Sequence, residues 1–310
     1  MINGILNIDK PQGFTSHDVV AKLRGITGQK KIGHTGTLDP EAVGVLPVCL
    51  GSATKLCDFL TGKDKEYVAR VQLGISTDTQ DTTGRILQER KVESAPEEVK
   101  RALQSFVGEY QQIPPMYSAL KVNGKRLYEL AREGKEVERK ARPVYIKEIE
   151  LLEMELPLLT IRVECSKGTY IRTLCHDLGE TLGCGAAMAR LERTRSGSFT
   201  KATSITLEQL EERMAARGAK SREEALEGIL ISVDQVFSEY PLLKVKPEME
   251  RLIENGNSFQ EKDLRSDFHK EERQDRSQYR VYIKEAIFMG IYEYRREEKR
   301  FCPVKMFISQ

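Results

Sequence analysis

The sequence contains no tryptophan, and aromatic residues make up only 7% of its 310 residues. It also lacks the run of ~20 apolar residues that a membrane-spanning helix requires. Its longest apolar segments, such as residues 42–50, are interrupted by glycine and proline. The first ten residues have neither a basic segment nor a long apolar one, so no export signal is predicted. We therefore expect a globular protein that is cytoplasmic and has no membrane partner.

A large excess of one charge is missing as well. Lysine and arginine total 49, aspartate and glutamate total 47, and the formal net charge is +2. This balance excludes a uniformly basic protein of the histone type. It leaves nucleic-acid binding open, because binding requires a local basic surface and not a basic total.

Metal-binding and nucleotide-binding motifs are also absent from the sequence. The six cysteines form no C-x-x-C pair and have no zinc-like spacing with histidine. No G-x-G-x-x-G follows a predicted strand, and there is no Walker lysine. We predict no metal, no cofactor and mostly buried, reduced thiols. Cys175 and His176 are adjacent, but neighbours on a helix point apart, so a thiol enzyme is the least favoured alternative.

The sequence contains a mixture of helix and strand signals. A capping box at Thr15 precedes apolar residues at helical spacing, and residues 169–182 are typical of a helix. Residues 66–73 alternate between apolar and polar, which indicates a strand. Two more strands, 144–152 and 158–164, are predicted next to each other. Strands in adjacent pairs favour an α+β fold over a doubly wound parallel sheet.

A change of composition near Pro241 divides the chain into two predicted domains. The larger covers residues 1–239 and the smaller residues 240–310. The smaller contains a strongly charged tract at 261–280, and alternating apolar residues return after it. That alternation predicts a small, mainly β domain at the end of the chain.

Residues 31–47 form the segment with the most candidate functional groups. Three glycines and two prolines argue against a regular helix or a central strand, so we predict a structured loop that holds His34 and Asp39. Polar groups on such loops often carry function. The alternative is an Asx turn, in which Asp39 bonds its own backbone ahead of Pro40.

Two further side chains are candidates for a functional site. Arg172 falls in the first turn of a predicted helix that follows a turn at Gly168. A cation there opposes the helix dipole, so a carboxylate partner is expected, and Asp39 is the candidate. The alternative is an arginine that faces solvent. Tyr67 lies within a predicted strand, where it is either a core residue or faces a groove.

Five sequence motifs occur in a fixed order: NIDKPQGFTS (7–16), GHTGTLDP (33–40), KEY (65–67), GISTDT (74–79) and GTYIR (168–172). Together they resemble the bacterial TruB-type tRNA pseudouridine synthases. The resemblance runs from residue 4 to about residue 200, and residues 118–132 also follow the family pattern. The end of the chain only loosely resembles the small PUA-like RNA-binding domain found in many members.

The resemblance implies a fold and a reaction. The fold is a pseudouridine-synthase catalytic domain with a mixed, largely antiparallel sheet flanked by helices. It carries an RNA-gripping insertion at about residues 108–145 and is followed by a PUA-like domain. The reaction isomerises one uridine to pseudouridine in the T loop of tRNA, at tRNA position 55, after the base is flipped out. It requires no metal and no cofactor, the partner is the tRNA T-arm, and a monomer is expected.

The resemblance also implies residue roles. Asp39 attacks or stabilises the anomeric carbon, as carboxylates do in glycosidases. Arg172 pairs with Asp39 and orients it. Tyr67 stacks on the flipped base and is a candidate for removing the proton from C5. His34 fills the space that the base leaves, and Tyr170 and Leu191 line the pocket. The remaining residues predicted to bind substrate are Lys10 and Lys121.

Residues 121–142 contain eight basic and four acidic residues. By resemblance this segment grips the tRNA arm, whereas its residues alone favour a solvated helix face. We predict a polarised surface that is positive around Asp39 and residues 121–142 and acidic elsewhere.

Two other functions remain as alternatives. One is a non-catalytic tRNA-binding or tRNA-folding protein on the same scaffold. The other is a guide-RNA-dependent synthase of the related archaeal and eukaryotic type. The bacterial-like N-terminus and the lack of a long basic tail argue against the second.

Overall fold

The computed structural model describes residues 1–122, 124–216, 221–265, 273–284 and 286–307. None of the helices within these ranges is long and apolar enough to cross a membrane. The α-helices are α1 Ser16–Thr27, α2 Cys57–Thr61, α3 Pro96–Gln104, α4 Leu127–Arg132, α5 Ile171–Thr181, α6 Leu207–Ala215, α7 Arg222–Ala225 and α8 Glu250–Glu254. Short 3-10 helices lie at Gly51–Leu56, Lys201–Thr203, Asp234–Phe237, Pro247–Met249 and Glu261–Asp263.

The strands form one large sheet, a second sheet near the end of the chain, and two small hairpins. The first ten strands are β1 Gly4–Lys10, β2 Ile32–His34, β3 Val43–Leu50, β4 Lys65–Leu73, β5 Ile75–Thr77, β6 Ile86–Glu89, β7 Gly108–Gln112, β8 Lys121–Val122, β9 Lys125–Arg126 and β10 Arg142–Glu155. The others are β11 Leu158–Cys165, β12 Ala186–Ser196, β13 Phe199–Thr200, β14 Leu230–Ile231, β15 Leu242–Lys244, β16 Phe259–Gln260, β17 Gln278–Ile283, β18 Ile287–Arg295 and β19 Arg300–Met306.

The large sheet has the strand order β14-β1-β3-β12-β4-β11-β10-β7, with β2 added to β3 and β13 added to β12. Its pairs are antiparallel except for β3 with β12, which run parallel where Val43 lies opposite Glu192. The predicted α+β fold with a mixed, largely antiparallel sheet is confirmed.

The alternation predicted for β4 places its apolar face in the core. Tyr67, Ala69, Val71 and Leu73 are buried against β11, β12 and the helices α3 and α5. A second core cluster joins α1 and α6 to β1 and β3. Helix α1 begins with the predicted capping box, in which the Thr15 hydroxyl accepts a hydrogen bond from the backbone N–H of its third helical residue.

The prediction that residues 31–47 contain no central strand is wrong, because β3 lies inside the sheet and begins within that segment. On one side β3 pairs with β1 along almost its whole length. On the other side it pairs with β12 at Val43 and Gly44 and with β2 from Val48 onward. Pro47 lies between these two partners and is tolerated there. Its carbonyl accepts a hydrogen bond from the Thr35 N–H at 3.1 Å. Gly44 has φ 103°, and a Cβ at this position would lie 2.4 Å from the backbone oxygen of Arg193. Glycine therefore permits the close approach of β12.

The second sheet has the order β15-β17-β18-β19-β16 and forms a small, mainly β unit at the end of the chain. An aromatic cluster joins it to the main body, where the Phe237 ring lies 5.2 Å from Phe59, 6.5 Å from Phe288 and 5.9 Å from Phe307. Part of the charged tract predicted at 261–280, residues 266–272, lies outside the described residues. The boundary between residues 239 and 240 stays a prediction.

Candidate active site

An ion pair between Asp39 and Arg172 forms the centre of the candidate site. Asp39 lies in the loop between β2 and β3, and Arg172 lies in the first turn of α5. The Arg172 Nε lies 2.9 Å from Asp39 Oδ2, and its Nη2 donates to Oδ1 at 3.3 Å. The Arg172 side chain is only 6% exposed, so the solvent-facing alternative is wrong. The Asp39 carboxylate pairs with Arg172 on α5, and within the described residues it accepts no hydrogen bond from its own backbone, so the Asx-turn alternative is wrong.

The Arg172 guanidinium also donates hydrogen bonds to two other segments of the chain. Its Nη1 donates to the Thr79 carbonyl at 3.1 Å, and its Nη2 donates to the Tyr117 carbonyl at 2.7 Å. A second carboxylate, that of Asp81, lies 4.0 Å from Nη1. Because guanidinium is planar and its donors are fixed, these contacts determine the direction of Arg172 toward Asp39. Sequence reasoning missed Thr79 and Tyr117, because they contribute backbone carbonyls that have no residue-type signature.

The predicted aromatic and apolar residues lie on the buried side of the sheet next to this ion pair. Tyr67 on β4 is 8% exposed and Leu191 on β12 is 6% exposed. Burial raises the pKa of the Tyr67 phenol, and the nearby Arg193 charge opposes that shift. Tyr170 precedes α5 and is half-buried, and burial also raises its pKa, which the Arg172 charge opposes. This arrangement provides an apolar, aromatic lining beside a carboxylate.

Gln112 attaches this lining to the start of the predicted insertion. Its side-chain amide donates to the Tyr170 carbonyl at 2.9 Å, and its side-chain oxygen accepts from the Tyr170 N–H at 2.8 Å. Gln112 is 1% exposed and lies at the end of β7. The paired hydrogen bonds fix the entry into α5 and thereby the position of Arg172. No pattern in the sequence indicates this pairing, because the two residues are 58 positions apart.

His34 lies at the end of β2 and is half-buried. Burial lowers its pKa, and the neighbouring His17 and Arg193 add to that effect. Its Nδ1 accepts a hydrogen bond from the Gly36 N–H at 3.4 Å. The neutral imidazole is therefore favoured, which suits insertion into an apolar space.

Lys10, which was predicted to bind substrate, has a structural function in the fold. It is fully buried, and its ammonium donates to the carbonyls of Pro11 at 3.0 Å, Phe14 at 2.5 Å and Pro40 at 3.0 Å. Burial lowers its pKa to about 8, and the Asp39 charge opposes that shift. Lys10 thus ties the end of β1 to the loop that carries Asp39. A direct contact between Lys10 and substrate stays a prediction.

The basic segment 121–142 consists of the hairpin β8–β9, helix α4 and an extended stretch before β10. The solvated helix-face alternative is wrong for most of it, because α4 covers only Leu127–Arg132. Ion pairs join Lys125 and Lys135 to Glu133, and Arg139 to Glu136. The exposed basic residues of this segment that form no ion pair within the described part of the chain are Lys121, Arg126, Arg132, Lys140 and Arg142.

The thiol alternative is not supported by the surroundings of Cys175. Its side chain is fully buried, and burial raises its pKa to about 12. A thiol of this kind stays protonated at neutral pH and is a poor nucleophile. The six cysteines are free, as expected.

Two family models match most of the chain. The N-terminal domain of the TruB family of pseudouridylate synthases matches residues 24–171. The C-terminal domain of tRNA pseudouridylate synthase B matches residues 172–238. The chain belongs to the TruB family. The two matched segments meet between Ile171 and Arg172, at the start of α5. Each segment contributes strands to the large sheet.

Individual TruB relatives are similar over almost their whole length. A protein of Clostridium novyi named tRNA pseudouridine synthase B is 47% identical over 94% of this chain and 95% of its own. Proteins of the same name from Alkaliphilus oremlandii and Lachnoclostridium phytofermentans are 45% and 48% identical. They cover 98% and 99% of this chain, and 97% and 100% of their own chains.

Solved structures with the same fold come from a Cbf5-Nop10-Gar1 complex and an H/ACA RNP. A chain from a crystal structure of a Cbf5-Nop10-Gar1 complex has a TM-score of 0.71 and 28% identity, over 98% of this chain and 85% of its own. A chain from an H/ACA RNP bound to a substrate RNA containing 2'-deoxyuridine has a TM-score of 0.70 and 25% identity, with the same coverage. This chain thus shares its fold with chains of these two complexes.

Proposed function

We propose that this protein isomerises uridine to pseudouridine in the T loop of tRNA, at tRNA position 55. The observation that carries the proposal is the bidentate ion pair of Asp39 with Arg172 beside a buried aromatic lining. An oriented carboxylate is the group that cleavage of a glycosidic bond needs. Membership of the TruB family and the relatives' name, tRNA pseudouridine synthase B, support the same substrate.

The reaction exchanges one bond to the sugar for another. The bond from C1′ to uracil N1 breaks, the base turns within the pocket, and a bond from C1′ to C5 forms. One proton leaves C5 and one is taken up at N1, so product and substrate are isomers. Asp39 acts on C1′ by attacking it or by stabilising its positive charge, and Arg172 holds the carboxylate in the direction required.

The lining residues bind the flipped base. In this proposal Tyr67 stacks on the uracil ring, while Tyr170 and Leu191 enclose it. Stacking on an aromatic ring contributes about 1 to 3 kcal/mol per base, which offsets much of the free energy needed to unstack the uridine. The neutral His34 imidazole occupies the space from which the base has left, and Lys10 supports the Asp39 loop from behind.

The proposal predicts release of tritium from RNA that carries tritium at uracil C5. The protein is incubated with a tRNA transcript and with an isolated T-arm, and the tritium that enters the water is measured. We expect one equivalent per RNA from both, because the reaction needs only the folded arm. A transcript with cytidine at position 55 is the control and should release none. No release from any tRNA would show that the protein is not this enzyme.

The same experiment separates the two alternatives. A non-catalytic tRNA-binding or tRNA-folding protein would bind the transcript and release no tritium. A guide-RNA-dependent synthase would release tritium only after a guide RNA is added. The greater identity to the bacterial synthases, 47% against 28% for the Cbf5 chain, favours action without a guide.

The substrate contact is proposed to extend along the basic segment 121–142, with Lys121 at its first hairpin. We also propose that residues 240–310 form a separate PUA-like RNA-binding domain after a catalytic domain of residues 1–239. The protein would act as a monomer in the cytoplasm, where its tRNA substrate is found.

Neutralising three exposed cations of the basic segment should weaken tRNA binding and its salt dependence. The substitutions are Lys121→Gln, Lys140→Gln and Arg142→Gln. If each side chain contacts a phosphate, the slope of log affinity against log salt should become shallower by about 2, because fewer counterions are released. Filter binding at several salt concentrations measures this slope.

A matched triple variant on another surface serves as the control. It combines Lys91→Gln, which follows β6, with Lys100→Gln and Arg101→Gln on α3. Lys91 and Lys100 already pair with Glu93 and Glu97. The control should keep the wild-type slope. Equal slopes in the two triple variants would contradict an RNA contact along 121–142.

A further inference from the structure

Arg193 on β12 is a buried cation that the proposed reaction does not yet use. It is 1% exposed, and its Nε donates to the Val45 carbonyl at 2.7 Å. Its Nη2 donates to the Gly36 carbonyl at 3.3 Å. Both acceptors flank the loop that carries Asp39, so the guanidinium braces this loop.

Among the residues that the structure describes, the positive charge of Arg193 has no carboxylate partner. It forms no ion pair there, whereas Arg172 on α5 and Arg195 on β12 pair with Asp39 and Glu164. A buried charge without a counter-charge is strongly unfavourable and is rarely retained without a reason. Two carbonyl groups satisfy hydrogen bonds and leave the charge itself uncompensated.

The Tyr67 phenol lies beside this charge. Arg193 and Tyr67 lie directly opposite each other on β12 and β4, so their side chains share one face of the sheet. The other charged or titratable groups that face the phenol are Cys165 on β11 and Asp39 on its loop. Burial raises the phenol pKa, Cys165 and Asp39 raise it further, and Arg193 is the group that lowers it.

Other groups near Arg193 respond in the opposite sense. Burial lowers the pKa values of Lys10, Lys65 and His34, and the Arg193 charge lowers them further. These groups can only lose positive charge beside Arg193. Since Asp39 is already paired with Arg172, Tyr67 is the adjacent group whose charged form Arg193 favours.

We propose that Arg193 is a positioning residue that holds the Tyr67 phenol in the pocket and stabilises its anionic form. The inference rests on the proposed function, in which a proton must leave uracil C5. The Tyr67 phenol first loses its proton to water. The C5–H bond then breaks, its electron pair returns to the ring, and its proton passes to the Tyr67 oxygen. Arg193 itself does not touch the substrate.

The test follows the ionisation of Tyr67 directly in the full chain. 2,3,5-Trifluorotyrosine is incorporated in place of Tyr67, because its fluorines lower the intrinsic pKa of the phenol and bring a raised midpoint into range. Its fluorine-19 NMR shift is followed from about pH 6 to 11. The titration is repeated with Arg193→Gln, which keeps a hydrogen-bond donor and removes the positive charge. It is also repeated with Arg193→Lys, which keeps the charge and loses the planar set of guanidinium donors. Arg195→Gln is the matched control, because Arg195 pairs with Glu164. Glu164 precedes Cys165 on β11, so its side chain points to the opposite face of the sheet from the Tyr67 phenol.

We expect the titration midpoint to rise by at least about one pH unit in Arg193→Gln, and by less than about half a unit in Arg193→Lys and Arg195→Gln. A midpoint in Arg193→Gln within about half a unit of wild type overturns the proposal. So does a rise in Arg193→Lys as large as that in Arg193→Gln, because loop disruption would then explain both. If Arg193→Gln does not fold, Arg193→Lys decides alone: an unchanged midpoint supports the charge and a rise of more than about one unit overturns it.

The titration needs neither RNA nor catalysis, so it fails independently of the proposed function. If tritium release is normal and the Tyr67 titration midpoint is the same in Arg193→Gln as in wild type, the role of Arg193 is rejected and the proposed enzymatic function stands. If the midpoint rises in Arg193→Gln but the wild-type protein releases no tritium from any tRNA, the effect of the Arg193 charge on the Tyr67 phenol stands and the proposed enzymatic function is rejected. Where both hold, the pH profile of single-turnover release in Arg193→Gln should shift to higher pH, in the same direction as the midpoint.

Discussion

Asp39→Asn should lower the single-turnover rate of tritium release by about 10³-fold or more, while tRNA affinity changes by less than about tenfold. Asparagine has nearly the same shape and can still accept a hydrogen bond from Arg172. It lacks the negative charge that attacks or stabilises C1′. A 10³-fold loss corresponds to about 4 kcal/mol of transition-state stabilisation. Rapid mixing with excess protein separates this step from binding and product release.

The control for Asp39→Asn is Glu41→Gln, in the same loop. Glu41 is exposed and accepts a hydrogen bond from Gln12 at 2.7 Å, away from Arg172. The exchange of carboxylate for amide is the same, and we expect the wild-type rate. If Asp39→Asn retained full activity, the carboxylate that acts on the sugar would have to be sought elsewhere.

Arg172→Lys should lower the single-turnover rate by about 10²-fold. Lysine keeps the charge but cannot hold both oxygens of Asp39 while also bonding the Thr79 and Tyr117 carbonyls. Asp39 would keep its charge and lose its direction, and a small misplacement of a reacting group is sufficient for a loss of this size. tRNA affinity should change little, because Arg172 is buried behind the carboxylate.

Arg172→Met should also destabilise the fold. It leaves two carbonyl groups and a half-exposed carboxylate without their donor, which costs on the order of 1 to 3 kcal/mol. Thermal unfolding followed by circular dichroism measures this loss. Arg101→Lys and Arg101→Met, on the exposed face of α3, are the matched controls and should leave both stability and rate unchanged. Wild-type activity in Arg172→Lys would show that the direction of Asp39 is set without this side chain.

Much of the local structure was predictable because it depends on neighbouring residues. The alternation in 66–73 places Tyr67 on the buried face of β4, and the capping box at Thr15 begins α1. An arginine in the first turn of a helix requires a compensating carboxylate, and Asp39 provides it across 133 positions. In these cases residue type alone carries the information.

The error in 31–47 has a definite physical origin. Glycine and proline disfavour a central strand on average, because they weaken it or remove a donor. Whether they do so in a given strand depends on its neighbours. Gly44 is required by the close approach of Arg193 on β12, and Pro47 lies where the neighbouring strand changes. The partners responsible are distant in sequence.

The sequence by itself determined the fold class, the family and the positions of Asp39 and Arg172 as candidates. Only the tertiary structure decided what surrounds them: the carbonyls at Thr79 and Tyr117, the paired amide of Gln112, and the buried guanidinium of Arg193. The reason is that backbone carbonyls are the same at every residue, and burial of a charge depends on which strands pack around it. A motif specifies which groups are available, and long-range packing specifies their direction and their electrostatic surroundings.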